Sequence, residues 1–380
     1  MGQRQNVIPF NIPYNPDISK KYVQEVLNSH HQQGDGPFTA KASKIISELA
    51  GGGYTLLTPS CTHALEMASM LANLGPGDEV ILPSYTFTSA VIAVTKFGAT
   101  PVFADIEKDT KGINVDHARE LITSRTKAIS WVNYAGVPPD LEGLKEIRNE
   151  FGLLLIEDNA HSLGGSYNNL QLGSFGDFAT QSFHATKNIQ CGEGGALIIN
   201  DSNFIERAEV IREKGTNRRK FMQGEVQKYQ WVDQGSSYLL AESLAAQLLG
   251  QLEEFTQIQE SRSRTFERYR TSLTEWSHTS GVELQFVRNK DSHTAHMFYM
   301  VVESQEKRNR LIQHLENYKI KSMFHYQSLA TSTRGSSYNT GGGTFPISEK
   351  MSNQLIRLPL YYSINDADID EVIQAVLEVR

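Results

Sequence analysis

The chain has 380 residues, of which 39% are hydrophobic and 21% are charged, and its formal net charge is −7. This composition is typical of a globular protein with two domains and excludes a disordered or fibrous chain. A negative chain has no electrostatic reason to bind nucleic acid or an anionic membrane, so we expect neither.

No run of 18 apolar residues occurs, and the first residues lack the apolar segment of a secretory signal. We therefore expect a cytoplasmic protein. The two cysteines, Cys61 and Cys191, lie far apart and form no metal-binding pair, so we expect neither a disulfide framework nor a metal site.

Predicted helices and strands alternate between residues 60 and 200. In chain order we predict a helix at 64–74, a strand at 78–83, a helix at 89–97, strands at 100–105 and 128–133, a helix at 141–151 and a strand at 153–158. Strands that are apolar on both faces and separated by helices predict a mostly parallel sheet between two helical layers, an α/β/α fold. Such sheets bind ligands at the carboxyl ends of their strands.

The pattern changes after residue 240. A long helix is predicted at 241–273, and a helix at 306–318 is flanked by predicted strands at 296–303 and 320–326. These elements predict a smaller α+β domain, with the two domains at 1–245 and 246–380. Residues 331–344 are rich in Ser, Thr and Gly and predict a loop, either a surface insertion or an active-site lid.

Two segments in the first domain could contact a phosphorylated, flat ligand. Small polar residues at 58–63 precede a predicted helix, whose N-terminus could bind phosphate, although an ordinary helix cap has the same pattern. Tyr85 and Phe87 follow a predicted strand, where an aromatic ring could stack on a cofactor or pack in the core.

Two further segments carry charged residues suited to chemistry. Asp158 ends a buried strand and needs a cationic partner, either a protonated cofactor nitrogen or a structural Lys or Arg. Lys187 lies between a polar strand end and the glycine-rich run 192–196, whose glycines would let the backbone approach a ligand closely. Low polarity or cationic neighbours would lower the pKa of Lys187 and make it a nucleophile.

With these four segments in this order, the chain resembles the DegT/DnrJ/EryC1/StrS sugar aminotransferases, pyridoxal phosphate (PLP) enzymes with the aspartate-aminotransferase fold, known as fold type I. The runs 182–188 and 192–196 are specific for this family, and the likeness extends from residues 8–11 to 357–360. Within the family, the runs 56–62, 133–137, 212–218 and 235–239 resemble the enzymes that form dTDP-4-amino-4,6-dideoxygalactose.

The resemblance implies roles for individual residues. Lys187 would carry PLP and transfer the proton during catalysis, and Asp158 would face the pyridine nitrogen. The other implied cofactor contacts are Cys61, Thr62 and Ser182 at the phosphate, Phe87 on the ring and His161 near O3′.

The resemblance also implies a homodimer with shared active sites. In this family a residue of one subunit, usually Asn, contacts the cofactor phosphate of the other. The corresponding position is Ser237, which departs from the family pattern. Its hydroxyl can still donate one hydrogen bond, but the Ser side chain reaches less far than that of Asn.

The implied substrates are L-glutamate as amino donor and a nucleotide-linked keto-sugar, dTDP-4-keto-6-deoxyglucose, as acceptor. The implied substrate contacts are Lys214 and Arg218 at the diphosphate, together with Tyr85 and Tyr326, while Arg219 belongs either to the site or to a solvated surface run. Residues 325–330 depart from the family pattern, because a Pro and a final His are missing.

Three alternatives remain at the level of sequence. The first is amination of a 3-keto-sugar. The second is a PLP-dependent sugar dehydratase, against which Lys187 argues because dehydratases of this family carry His there. The third is a regulatory protein that keeps the fold without catalysis.

Overall fold

The structure, a computed structural model, describes residues 7–288, 293–339 and 342–379. The helices in chain order are α1 (Asp17–Asn28), α2 (Pro37–Leu49), α3 (Cys61–Leu71), α4 (Thr88–Thr95), α5 (Val115–Glu120), α6 (Leu141–Phe151), α7 (Ile205–Arg212), α8 (Arg218–Met222), α9 (Glu242–Glu253), α10 (Phe255–Ser280), α11 (Gln305–Asn317), α12 (Pro346–Gln354) and α13 (Asp366–Leu377). The strands are β1 (Tyr54–Thr58), β2 (Glu79–Pro83), β3 (Thr100–Ala104), β4 (Thr126–Val132), β5 (Leu154–Asp158), β6 (Ser166–Tyr167), β7 (Leu170–Gln171), β8 (Phe178–Ser182), β9 (Gly195–Ile199), β10 (Glu283–Leu284), β11 (Phe298–Val301), β12 (Met323–Phe324) and β13 (Leu355–Leu358).

A seven-stranded sheet in the order β1-β9-β8-β5-β4-β2-β3 forms the centre of the larger part of the molecule. Strands β8, β5, β4, β2 and β3 are parallel neighbours, and β9 runs antiparallel to both β1 and β8. The carboxyl ends of the parallel strands therefore meet at one edge, where a ligand site forms. The predicted α/β fold with a mostly parallel sheet is confirmed.

Helices cover both faces of this sheet because its strands are apolar on both sides. Along β9, Leu197 and Ile199 face the core that contains α3 and α7, whereas Ala196 and Ile198 face the core that contains α2 and α9. This alternation explains why the strands read as continuous apolar runs rather than as alternating patterns.

A four-stranded antiparallel sheet, in the order β10-β11-β13-β12, belongs to the C-terminal part. Ile356 and Leu358 of β13 pack in a core with residues of α10, α11 and α13, and this core also contains Ile8. Leu355 faces the opposite side of the strand, together with Tyr85 and Tyr134 of the larger part. Arg357 shares that side because side chains alternate along a strand.

The long helix predicted at 241–273 is interrupted at Glu254, between α9 and α10, and α10 continues beyond the predicted end to Ser280. Leu248 and Leu252 of α9 pack with α2 and the seven-stranded sheet, whereas Phe266 and Leu273 of α10 reach the C-terminal core. Because of this break, the two helices contribute apolar residues to two different cores. The domain boundary at 245 stays a prediction, and α9 packs against α1 and α2.

Two other predicted segments differ from the structure in extent. The strand predicted at 320–326 is reduced to β12. The predicted loop 331–344 contains a 3-10 turn at Gly335–Ser337. Residues 340 and 341 of this loop lie outside the described ranges. Leu329 and Phe345, on either side of this loop, pack on Leu82 and Phe103. Across the described parts of the chain, no helix combines the length and hydropathy needed to cross a membrane.

Candidate active site

A cavity of about 670 Å³ lies at the carboxyl edge of the large sheet and reaches the C-terminal part. Val132, Asp158 and Ser182, the last residues of β4, β5 and β8, line it. The cavity brings together most of the residues assigned from the sequence, namely Cys61, Thr62, Phe87, Asp158, His161, Ser182, Lys187 and Tyr326.

Lys187 is partly buried in this cavity, on the segment that connects β8 to β9. The segment folds back on the glycine-rich run, since the backbone N–H of Ala185 donates to the carbonyl of Gly192 over 2.9 Å. Desolvation by the surrounding protein lowers the pKa of Lys187 to about 8, although the negative charge of Asp158 opposes the shift. The amine is therefore neutral in a substantial fraction of molecules near pH 8, which makes it a nucleophile.

Asp158 is a buried carboxylate, 7% exposed, that ends β5. Its Oδ1 accepts a hydrogen bond from the N–H of Ala160 over 3.1 Å, and within the described ranges it forms no ion pair with a structural Lys or Arg. Burial raises the pKa of Asp158, against the charge of Lys187. A carboxylate in this position would be stabilised by a protonated ring nitrogen of a ligand.

The N-termini of α3 and α4 meet at the cavity wall. Ser60 caps α3 by accepting from the N–H of His63 over 3.2 Å. The N–H groups of Cys61 and Thr62, in the first turn, have no partners within the helix. The hydroxyls of Thr62 and Ser89 lie 2.7 Å apart, one on each helix. Free N–H groups, hydroxyls and the positive end of a helix dipole together form a site for a phosphate.

Gly195 allows β9 to pass directly under this helix end. A β-carbon at position 195 would lie 2.4 Å from the backbone nitrogen of Cys61 and 2.4 Å from the carbonyl carbon of Ser60. A β-carbon on Gly194 would similarly lie 2.5 Å from Cys191 Sγ. In the structure these two glycines permit close contacts within the protein, and Gly194 also lines the cavity.

Three of the four histidines that line the cavity are kept neutral by burial. Burial is the main reason that the pKa values of His161, His296 and His325 lie well below the usual range, and the charge of Lys187 adds to the shift. The ring of His161 stacks on His296 at 4.2 Å, and its Nδ1 accepts from the N–H of Ala135 over 3.2 Å. The proton of a neutral His161 is thus on Nε2, which remains a donor.

The comparisons with known proteins agree with this geometry. Residues 16–377 match the sequence model of the DegT/DnrJ/EryC1/StrS aminotransferase family. The chain belongs to this family. It is 28% identical to the spore coat polysaccharide biosynthesis protein SpsC of Bacillus subtilis (strain 168), over 99% of this chain and 98% of SpsC.

Solved structures of similar proteins share the complete fold. The aminotransferase TlmJ from Streptoalloteichus hindustanus superposes with a TM-score of 0.89 at 26% identity, covering 98% of both chains. The PLP form of Spr1654 from Streptococcus pneumoniae, named as a candidate sugar aminotransferase, gives 0.87 at 27% identity over 97% of both chains. The likeness thus extends over both parts of the molecule.

Aminotransferases of this family depend on PLP, and the cavity fits this cofactor. An amine with a pKa of about 8 at Lys187, a carboxylate without an ion-pair partner at Asp158 and a helix N-terminus at Cys61 are the groups that an aldehyde, a pyridine nitrogen and a phosphate require. The individual contacts assigned from the resemblance stay predictions.

The structure distinguishes Phe87 from Tyr85, two aromatic residues that are close in sequence. Phe87 lines the cavity with 56% of its surface exposed, and its ring lies 6.1 Å from that of Tyr326. Tyr85 is fully buried behind the wall and donates its hydroxyl proton to the carbonyl of His325. The structure therefore does not bring Tyr85 to the cavity, although the resemblance implied that it contacts substrate.

The remaining assigned residues lie away from the cavity within one chain. Ser237 is exposed and forms a backbone bridge with Glu213. Glu213 also forms ion pairs with Lys214 over 3.5 Å and with Arg218 over 2.8 Å, and Arg219 pairs with Glu209. The resemblance implied that Ser237 contacts the cofactor of a second subunit, whereas it assigned Lys214 and Arg218 to the diphosphate without naming a subunit. These contacts stay predictions.

Arg357, Arg262 and His296 line the cavity but received no role from the sequence. Arg357 gave a visible signal, since it interrupts the apolar run Leu-Ile-Arg-Leu of β13. A charged residue inside such a strand needs a partner or a function. Arg262 and His296 gave no comparable signal, because the positions of their side chains depend on how α10 and β11 meet the large sheet.

Proposed function

We propose that this aminotransferase moves an amino group from L-glutamate to a nucleotide-linked 4-keto-6-deoxyhexose, with dTDP-4-keto-6-deoxyglucose as the acceptor. The product would be a dTDP-4-amino-4,6-dideoxy sugar for the synthesis of a surface polysaccharide. The observation that carries amino transfer is the placement of Lys187 and Asp158 in one cavity, where burial lowers the pKa of the Lys187 amine to about 8. The names of SpsC and Spr1654 support a sugar as acceptor.

Each of the assigned residues would have a separate role in the reaction. Bound PLP supplies an electron sink that lowers the barrier to proton removal at carbon. Lys187 would hold the cofactor, and its amine would move a proton at the carbon that carries the transferred amino group. Asp158 would keep the pyridine nitrogen protonated, and Nε2 of His161, which is free to donate because Nδ1 accepts from Ala135, would bind the ring's hydroxyl oxygen.

We infer that the cavity holds both the cofactor and the sugar ring of the acceptor. Its volume of about 670 Å³ accommodates a cofactor and a hexose, and Phe87 and Tyr326 offer aromatic faces to them. In the homodimer that we propose, exposed Lys214 and Arg218 of the second subunit would be available to the diphosphate. Each has a carboxylate partner, Glu213, which a diphosphate would have to displace.

Analysis of the product tests this function. The PLP-loaded protein is incubated with dTDP-4-keto-6-deoxyglucose and L-glutamate, and mass spectrometry with NMR identifies the sugar. We expect an amine at C4 and one 2-oxoglutarate released for each sugar aminated. Lys187→Ala should abolish the reaction, whereas Lys20→Ala, at an exposed ion pair with Asp17, should leave it unchanged.

Each alternative gives a different result in the same assay. An amine at C3 from a 3-keto substrate would replace the proposed acceptor. Loss of a hydroxyl from the sugar, with no amine in the product, would identify a dehydratase. A protein that consumes neither glutamate nor any keto-sugar would be the regulatory alternative.

A further inference from the structure

A second, much smaller cavity adjoins the active-site cavity and shares part of its wall. Its volume is about 20 Å³, and Lys187 and His296 line both cavities. The rest of its wall includes the apolar side chains of Phe183 and Ile189 and the amide of Gln181. Because about 10–15 Å³ is enough for one water molecule, this cavity has room for a single water.

Gln181 brings an unpaired amide into apolar surroundings. It is 1% exposed, and its Nε2 has no hydrogen-bond partner in the described parts of the protein. Along β8 it lies on the same side as Ala179, which packs in an apolar core with Phe183 and Ile189. A buried N–H without a partner destabilises the folded state, so this amide indicates a ligand that accepts a hydrogen bond.

The tautomer of His296 is fixed by Asn188, the residue after Lys187. Nδ2 of Asn188 donates to the carbonyl of Thr294 over 2.8 Å and to Oε1 of Gln259 over 2.8 Å. Its Oδ1 therefore faces Nδ1 of His296, 2.9 Å away, and this Nδ1 must carry the proton. Burial keeps the ring neutral by holding the pKa of His296 well below its usual range. Nε2 of His296 is consequently an acceptor, and no described residue donates to it.

The amine of Lys187 also lacks a hydrogen-bond partner. Among the residues that the structure describes, none forms a hydrogen bond or an ion pair with its Nζ, and the charge of Asp158 acts on it only from a distance. An amine that moves a proton alternates between a neutral and a protonated form, so its partner must be able both to donate and to accept. The oxygen of a water molecule can do both, whereas an amide nitrogen or a carbonyl oxygen can do only one.

We propose that the small cavity binds one water molecule, which holds the amine of Lys187 in position. The water oxygen accepts from Nε2 of Gln181, and one of its O–H groups donates to Nε2 of His296. Its second O–H donates to the amine when Lys187 is neutral, and its second lone pair accepts from the amine when Lys187 is protonated. Three partners are typical of a buried water. The benefit to catalysis rests on the proposed role of Lys187, whereas the water site rests on the cavity and its unpaired groups.

A crystal structure of the cofactor-free protein tests the water site directly. We expect a water peak about 2.7–3.2 Å from Nε2 of Gln181 and from Nε2 of His296. Gln181→Met keeps the length of the side chain and removes the amide, so this peak should disappear or lose most of its occupancy. Gln181→Asn keeps an amide, should retain the peak, and serves if the methionine variant does not fold. A dry cavity in the wild-type protein, or a fully occupied water in Gln181→Met, would overturn the assignment.

Single-turnover kinetics of the PLP-loaded protein with L-glutamate test what the water does for Lys187. We expect Gln181→Met to lower the maximal rate roughly tenfold, because the amine is less well positioned, with the half-saturating glutamate concentration unchanged. Gln251→Met is the matched control, since Gln251 is equally buried but lies in α9, where it donates to the carbonyl of Tyr14. Its rate should equal that of the wild-type protein.

Two results separate this proposal from the proposed function. An unchanged maximal rate in Gln181→Met, despite loss of the water peak, would overturn the positioning role of the water. If the wild-type protein contains the water but releases no 2-oxoglutarate from L-glutamate, the proposed function fails and the water site stands.

Discussion

The protonation of Lys187 couples the chemistry of the site to its stability. Burial lowers the pKa of this amine from 10.5 to about 8, so below pH 8 the folded protein contains a poorly solvated ammonium. Between pH 8 and 10.5 the unfolded chain binds more protons than the folded one. The free energy of unfolding contributed by this group therefore rises with pH across that window.

A stability comparison without cofactor tests this coupling. We expect Lys187→Met to be more stable than the wild-type protein at pH 7, because it removes the cost of burying a charge. The difference should shrink as the pH rises from 8 to 10.5, when the wild-type amine becomes neutral. Urea unfolding at several pH values measures it, and a difference that stays constant with pH would contradict the lowered pKa.

The residues of the site could be predicted from the sequence only where a local pattern marks them. Asp158 ends an apolar strand and Lys187 precedes a glycine-rich run, so both stand out, and the structure places both in one cavity. Arg357 received no role from the sequence, and only the structure shows that its buried Nε has no hydrogen-bond partner among the described residues. That absence is a property of the folded contacts and is invisible in the chain.

At the scale of secondary structure, the contact between β9 and α3 sets the position of the proposed phosphate site. Gly195 lies directly beneath the first turn of α3, where a β-carbon would meet backbone atoms that cannot move independently. The geometry of this helix end thus depends on a residue that contacts no ligand. Replacing it should affect folding and cofactor binding together.

We expect Gly195→Ala to lower the free energy of unfolding by about 1–3 kcal/mol, the range for an overpacked core. The shifted helix end should also weaken PLP binding, measured as the dissociation constant of the cofactor. Gly75→Ala is the control, because a β-carbon there meets nothing within 4 Å. Equal stability and equal cofactor affinity in the two variants would contradict the role given to Gly195.

How well each helix or strand could be predicted depended on how distinctive its sequence pattern was. Continuous apolar strands with flanking helices, such as β2, β4 and β5, were predicted within two residues of their observed bounds. The break between α9 and α10 was missed because no Gly or Pro adjoins Glu254 to mark it in the sequence. The chain bends there because apolar residues of the two helices pack in two different cores, and this is visible only in the structure.

At the scale of the whole molecule, one chain does not complete the site that the resemblance implies. Ser237, Lys214 and Arg218 lie outside the cavity. The same region exposes large apolar side chains, with Met222 70% and Trp231 79% exposed. An exposed apolar surface next to residues assigned to a shared site supports the expected homodimer, which stays a prediction.

The covalent attachment of PLP to Lys187 is the central claim, and chemical trapping tests it most directly. The yellow PLP-loaded protein is reduced with borohydride and digested, and mass spectrometry locates the added cofactor mass. We predict that the mass lies on the peptide that contains Lys187 and is absent from Lys187→Ala. Cofactor mass on another lysine, or an unmodified Lys187 in fully loaded protein, would contradict the account.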